Sequence, residues 1–280
     1  MNSPYHITNS DITELEILLK KFNCVPNKHL GQNYLVNQDV VSKIIRCIGE
    51  TKDKHIMEIG PGIGVLTKEL SQQNIKSLTV VEIDHRMKPF LNNIRVPNHM
   101  DYKIIFEDAL KFNEEKYVSD KFIIVANLPY NVSTKLIIKW LKNLRCIEQI
   151  LVMVQKEVAD RLVAKKATSN YGRLSVLAQF TCECEVIFNL DPINFYPIPK
   201  VMSSVIKLTP KQNLPTPEEI EKVEKFCKIA FNYRRKKITK NIYTLGTNID
   251  DTLDQLGIDK NKRAEQLSVD EFYRLSKILL

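Results

Sequence analysis

Asn127-Leu128-Pro129-Tyr130 sets a side-chain amide, a carbonyl ahead of a rigid ring and an aromatic side chain on consecutive positions, directly after the apolar, β-prone run Phe122 to Ala126. Behind it, Ser133 to Leu141 carries helical spacing after a Ser133/Thr134 cap, which predicts the tetrapeptide on a strand-to-helix loop. Open α/β sheets bind ligands at the carboxyl ends of their strands, so these residues read as a pocket for a flat polar group. Asn127 has a second use as a turn residue capping its own backbone.

Upstream, Glu58-Ile59-Gly60-Pro61-Gly62-Ile63-Gly64 follows an apolar strand and opens a helix. Gly60 and Gly62 suit a turn that needs positive φ and a backbone that a ligand must approach closely. Two further acids stand where strands end. Glu82 in "VVEID" can accept from both hydroxyls of a ribose, and Asp108 in "FEDAL" can accept from an adenine amino group. Glu58, Glu82 and Asp108 together with the glycine loop describe a nucleoside site. A rim rich in carboxylates and poor in phosphate ligands fits a cationic nucleoside better than a dinucleotide; S-adenosylmethionine has a sulfonium and no phosphate. The first strand–loop–helix lacks G-x-x-x-x-G-K-[ST], which argues against nucleoside triphosphate hydrolysis.

The elements that must hold these groups alternate. "HIMEI", "SLTVVEID", "YKIIFEDAL", "KFIIVANLPY" and "IEQILVMVQ" read as strands with helical segments between most of them, and Gln38 to Ile48 reads as an amphipathic helix ahead of the first. Such alternation means an α/β fold with a parallel, Rossmann-like sheet covered on both faces. "CECEVIFNL" and "SSVIKLTP" predict an antiparallel hairpin at the sheet edge. "TPKQNLPTPEE" reads as a linker, and Glu218 to Leu280 has only helical patterns, so residues 1–210 are assigned to the catalytic domain and 211–280 to a small all-helical domain.

A net charge of +8 and a pI near 9.0 favour a polyanionic partner. The six cysteines have no C-x-x-C spacing and the histidines are scattered, so no metal site is expected and the cysteines read as reduced, mostly buried thiols. Cys182 and Cys184 alternate along a strand and should face one side. The N-terminal stretch has acids inside its apolar residues, unlike a signal peptide, and no run has membrane-spanning length. A cytoplasmic monomer is the expectation.

Nine stretches, in order, resemble the ribosomal RNA adenine N6-dimethyltransferases: "HLGQNYL", "EIGPGIGVLT", "VEID", "EDAL", "NLPYNVST", "MVQKEVADRL", "YGRLSV", "FYPIPKVMSSVIKL" and "FNYRRKKITKNI". "YGRLSV" and "FNYRRKK" are similar to the bacterial branch that dimethylates two adjacent adenines near the 3′ end of small-subunit rRNA. The resemblance implies S-adenosylmethionine as methyl donor, held by Asn33, Leu35, Gly60, Gly62, Glu82, Asp108 and Asn127, and an rRNA partner within a pre-ribosomal particle. Tyr34 stands where the family more often has Phe. Two other readings remain open: a resistance-type enzyme acting on a large-subunit adenine, and a ribosome-assembly or transcription factor that keeps the fold without catalysis.

An adenine amino nitrogen is a poor nucleophile because its lone pair is delocalised into the ring. Acceptors on its two N–H groups favour rehybridisation, and the Asn127 oxygen with the Leu128 carbonyl, stiffened by Pro129, can supply them. Tyr130 would stack on the target base, and the resemblance implies Phe195 on its other side. Arg234, Arg235, Lys236 and Lys237, followed by Lys240, lie in "YRRKKITK" at a helix start and read as phosphate contacts. Glu157 either shapes the cleft or pairs with Arg161 at i,i+4.

Overall fold

The computed structural model describes residues 9–118, 120–246 and 248–280; the first eight residues of the N-terminal stretch lie outside them. Among the described residues nine strands form, in chain order: β1 (Tyr34–Leu35), β2 (His55–Ile59), β3 (Ser77–Glu82), β4 (Asp101–Phe106), β5 (Phe122–Asn127), β6 (Ile147–Gln155), β7 (Cys182–Leu190), β8 (Phe195–Tyr196) and β9 (Ser203–Pro210). Seven of them make one sheet in the order β4-β3-β2-β5-β6-β9-β7. The β4-β3, β3-β2, β2-β5 and β5-β6 pairs are all parallel. Every residue of β3 is buried, as a strand covered on both faces must be. From β2 the chain steps outward through β3 and β4 and returns to β5 on the other side. That reversal leaves a crevice beyond the carboxyl ends of β2 and β5, where the glycine loop and Asn127 emerge.

Helices start where local chemistry allows. Asn37 caps Gln38–Arg46, its Oδ1 accepting from the Asp39 and Val40 amides at 3.0 and 3.3 Å. Helix Ser133–Leu141 starts differently from the expected hydroxyl cap: the Pro129 carbonyl accepts from the Val132 and Ser133 amides, and Ser133 Oγ donates back to the Tyr130 carbonyl. After the Pro-rich stretch, helix Pro217–Ala230 has a capping box in which Thr216 Oγ1 accepts from the Glu219 amide at 3.2 Å and Glu219 accepts from the Thr216 amide at 2.8 Å. Pro217 fills the first turn, where no N–H is needed.

The chain forms two compact units. One takes the described residues through Leu136 together with Arg145–Lys156 and Val186–Lys207; the other joins Ile137–Leu144, Glu157–Glu185 and Leu208–Leu280. The core of the first runs through Val41, Ile44, Ile56, Leu78, Val80 and Val125. That of the second is built on Tyr171, Val223, Phe226, Phe272 and Leu275, with Phe231 stacked on Phe272 at 5.3 Å. All six cysteines are free, and burial pushes Cys182 and Cys184 up to about 12. Among the described residues no helix is long and apolar enough to cross a membrane, and no cluster of potential ligands could hold a metal ion.

Candidate active site

A cavity of about 280 Å³ opens in the first unit beyond the strand ends, between the glycine loop, residues 29–35 and the Asn127 tetrapeptide. Gly60, Gly62 and Gly64 all have positive φ, at 68°, 56° and 83°. At Gly62 a Cβ would lie 2.8 Å from the Tyr34 ring, whereas at Gly60 it would meet no protein atom within 4 Å. Gly62 is thus required by packing, and Gly60 leaves room at the rim for another molecule.

Glu82 is buried at the end of β3, and its two oxygens are already engaged: Oε2 accepts from the Gly62 amide at 2.9 Å and Oε1 from the Asp84 amide at 2.8 Å. Each oxygen keeps a second lone pair, so one carboxylate can anchor the loop and still face a pair of hydroxyls. Burial raises its pKa, with the Asp84 and Gly62 amides opposing. Glu58, also buried, is pushed up to about 8 by desolvation, with Thr67 opposing and the Glu82 charge adding to the rise, and its Oε2 has no hydrogen-bond partner. Asp108 lines the cavity and caps its own turn through Oδ1, which accepts from the Leu110 amide at 2.9 Å.

Asn127 ends β5. Its Nδ2 donates to the Asn33 carbonyl at 2.8 Å, which commits the N–H side of the amide to the wall and turns Oδ1 away from it. Leu128 donates its N–H to the Met153 carbonyl at 3.1 Å, so the backbone here is an extension of the sheet. Tyr130 is half-buried, and its hydroxyl is 2.7 Å from Ser203 Oγ. Leu35 lies in β1, buried, with its neighbours Tyr34 and Asn33 on the same wall.

Phe195 departs from expectation. It does not line the cavity: it pairs with Leu35 in the antiparallel β1–β8 ladder and is 1% exposed in the core. Pairing β8 onto β1 draws the Phe195 ring into the core. The basic run is also placed differently. Residues 231–236 form turns, and helix Ile238–Ile242 begins only after Lys237. Arg234 donates to the Ser169 and Tyr171 carbonyls at 2.8 and 3.0 Å and pairs with Glu265, and Lys237 Nζ reaches Asn261 Oδ1 at 2.6 Å. Arg235 and Lys236 are exposed.

Sequence reasoning missed several wall residues. Ile83, half-exposed at 50%, and Leu110 add apolar surface beside Glu82 and Asp108. Gln32 donates to Asp84, and Asp84 is clamped by Arg86. An exposed apolar residue directly after a strand-end carboxylate was a readable signal for Ile83; nothing local pointed to the Gln32–Asp84 pair.

A family model described as ribosomal RNA adenine dimethylase matches residues 25–280. A ribosomal RNA small subunit methyltransferase A of Legionella pneumophila (strain Corby) is 39% identical over 255 residues, covering 91% of this chain and 98% of that protein. The protein of that name from Wolbachia pipientis subsp. Culex pipiens (strain wPip) is 34% identical over 265 residues, 94% of this chain and 99% of its own. A solved dimethyladenosine transferase from Plasmodium falciparum has a TM-score of 0.69 at 27% identity, covering 86% of this chain and 95% of that one. The glycine loop, the strand-end acids and the Asn127 tetrapeptide are therefore those of a chain that belongs to the ribosomal RNA adenine dimethylase family.

Proposed function

We propose that this member of the family transfers methyl groups from S-adenosylmethionine to the N6 amino groups of two adjacent adenines near the 3′ end of small-subunit rRNA, within a pre-ribosomal particle. The observation that carries the reading is the fixed Asn127 amide: with Nδ2 held by the Asn33 carbonyl, its oxygen is left to accept from an adenine N–H at the same cavity that Glu82 and Gly62 border. The small-subunit target is supported by relatives bearing that name at 34–39% identity over more than nine-tenths of the chain.

The residues present fit such a donor. Open space at Gly60, second lone pairs on the Glu82 oxygens and the Asp108 carboxylate at the cavity wall give hydroxyl and amino acceptors beside the apolar faces of Ile83 and Leu110. When bound, the donor supplies an electrophilic methyl on a sulfonium. The chain's own part is alignment, which in general is worth roughly 7–11 kcal/mol. Asn127 and the Leu128 carbonyl accept from the adenine amino group as its nitrogen becomes tetrahedral, and Tyr130 offers a stacking face to a base taken out of its helix. No strong base is needed, because the methylated nitrogen turns acidic as the bond forms and releases its proton afterwards.

Incubation with labelled methyl donor and, in parallel, immature small subunits, naked small-subunit rRNA and large-subunit rRNA tests the reading. Label as dimethyladenine in small-subunit RNA is expected. Label confined to large-subunit RNA would make this a resistance-type enzyme, and binding without transfer would make it an assembly factor.

A further inference from the structure

One wall of the cavity is held from both banks. Apart from the single turn Lys28–Leu30 and the two residues of β1, the segment 27–35 has no regular structure of its own, yet it carries the Asn33 carbonyl that orients Asn127. On the tetrapeptide's bank, Asn131 Nδ2 also donates to the His29 carbonyl at 3.1 Å. On the opposite bank, Gln32 Nε2 donates to Asp84 Oδ2 at 2.8 Å, while Gln32 Oε1 accepts from the Asn27 amide at 2.9 Å. Asp84 is itself buried and clamped: Arg86 Nε donates to Oδ1 at 2.9 Å and Arg86 Nη2 to Oδ2 at 2.7 Å. Arg86 is in turn tied to the N-terminal segment, through its Nη1 to the Val25 carbonyl at 3.4 Å and through its own carbonyl, which accepts from Cys24 Sγ at 3.1 Å. The Asp84 amide donates to Glu82.

A continuous polar path thus runs from Glu82 through Asp84 and Gln32 to the adjoining Asn33 and on to Asn127. We propose that Asp84, clamped by Arg86, is a positioning residue: it latches Gln32 and thereby fixes the Asn33 carbonyl that sets the Asn127 amide for transfer. The inference rests on the methyltransferase reading above. Without the latch, the Asn33 carbonyl loses its fixed place, and the Asn127 amide can turn an N–H toward the adenine amino group, which needs an acceptor. Burial alone would raise the Asp84 carboxyl, but the hydrogen bonds from Arg86 and Gln32 hold it below the usual carboxylate range, so it stays ionised as the Gln32 acceptor.

The test is a double-mutant cycle in the full chain. Gln32→Leu keeps side-chain bulk and removes both hydrogen bonds; single-turnover methylation at saturating donor is expected to fall about tenfold, the scale of one lost hydrogen bond to a charged group. Asp84→Asn should fall in the same direction. In an Asn127→Ala background, Gln32→Leu should cause no further loss, because its effect passes through Asn127. Losses that multiply, or a Gln32→Leu protein with a lower Tm and an unchanged transfer rate, would reduce the pair to structural cement and overturn the latch. Failure of the parent reading is recognised separately, as a wild-type chain that neither binds S-adenosylhomocysteine in calorimetry nor transfers methyl groups, and the latch falls with it.

Discussion

The cavity rim of the first unit and the basic turn of the second both present charged side chains, but they are built on opposite physical terms. At the rim, Glu82 is 5% exposed and held by two backbone amides, so its position follows from the sheet itself. In residues 233–237 every side chain is exposed, and the firm anchors, at Arg234 and Lys237, run to neighbouring loops of the same unit. Buried acids with partners are placed to within a hydrogen bond. Exposed cations keep their freedom, which suits binding to a flexible phosphate chain and costs little when one is removed.

The largest expected effect lies at the rim. Asn127→Ala should lower single-turnover methylation by about 10²–10³ with RNA affinity barely changed, since its acceptor is used chiefly in the transition state. Near-wild-type transfer would remove Asn127 from the chemistry and reduce the contrast to one of burial.

Gly62→Ala forces a non-glycine residue to a φ of 56° with its Cβ 2.8 Å from the Tyr34 ring. Denaturant unfolding should show a loss of about 1–3 kcal/mol or more from strain alone. Gly60→Ala meets no protein atom within 4 Å, so beyond the same strain its loss should appear in S-adenosylhomocysteine calorimetry.

Tyr130→Ala should weaken capture of the target base by about 1–3 kcal/mol, the usual worth of a stacking platform. Tyr130→Phe keeps the ring and leaves the buried Ser203 Oγ without its partner, so activity should largely survive while stability falls slightly. A Phe variant as inactive as the Ala variant would make the hydroxyl, and not the ring face, the working part.

Glu58 gives the rim a pH signature. Its carboxyl is lifted to about 8 by burial, so the folded chain keeps a proton that the unfolded chain gives up in the ordinary glutamate range. The stability this group contributes is complete below that range and is lost as pH rises through about 8. Glu58→Gln should flatten the decline of Tm between the ordinary glutamate range and about pH 8, and an unchanged decline would assign it to other groups.

The smallest effects belong to the basic turn. Replacing Arg235 and Lys236 with Gln should leave Tm unchanged and flatten the salt dependence of RNA binding by roughly 0.7–0.9 of slope for each phosphate that is no longer neutralised. Arg234→Gln should instead lower stability by about 1 kcal/mol, because it removes donors from the Ser169 and Tyr171 carbonyls. If both variants behave alike, the division between anchoring and phosphate-binding cations is wrong.

Much of the fold and of the site was legible in the chain itself. The runs "SLTVVEID", "KFIIVANLPY", "IEQILVMVQ" and "CECEVIFNL" all hold strands, β3 and β5 stopping short of the runs' ends at Glu82 and Asn127; β3 and β5 are apolar because both faces are covered, whereas β7 alternates between buried and exposed residues. The glycine loop and Glu82 were readable for the same reason: their roles depend on their own backbone conformation and on the strand end they occupy. Phe195 shows the limit. Its motif suggested a cavity residue, but its direction was decided by the pairing of two-residue strands more than a hundred positions apart in the chain.

Composition and short-range pattern thus determined the α/β class, the order of the parallel strands' elements, the helical character of the C-terminal residues and the strand-end acids, because periodicity, caps and turns act over a few residues. Tertiary structure alone decided which polar groups meet. Gln32 finds Asp84 across 52 positions, Asn127 finds Asn33 across 94 and Arg234 finds Tyr171 across 63. It also drew residues 157–185, which precede the Pro-rich stretch, into the helical unit. Such partners are chosen when the apolar faces of distant elements pack and the polar groups carried with them must be satisfied, and no local pattern in the chain encodes that choice.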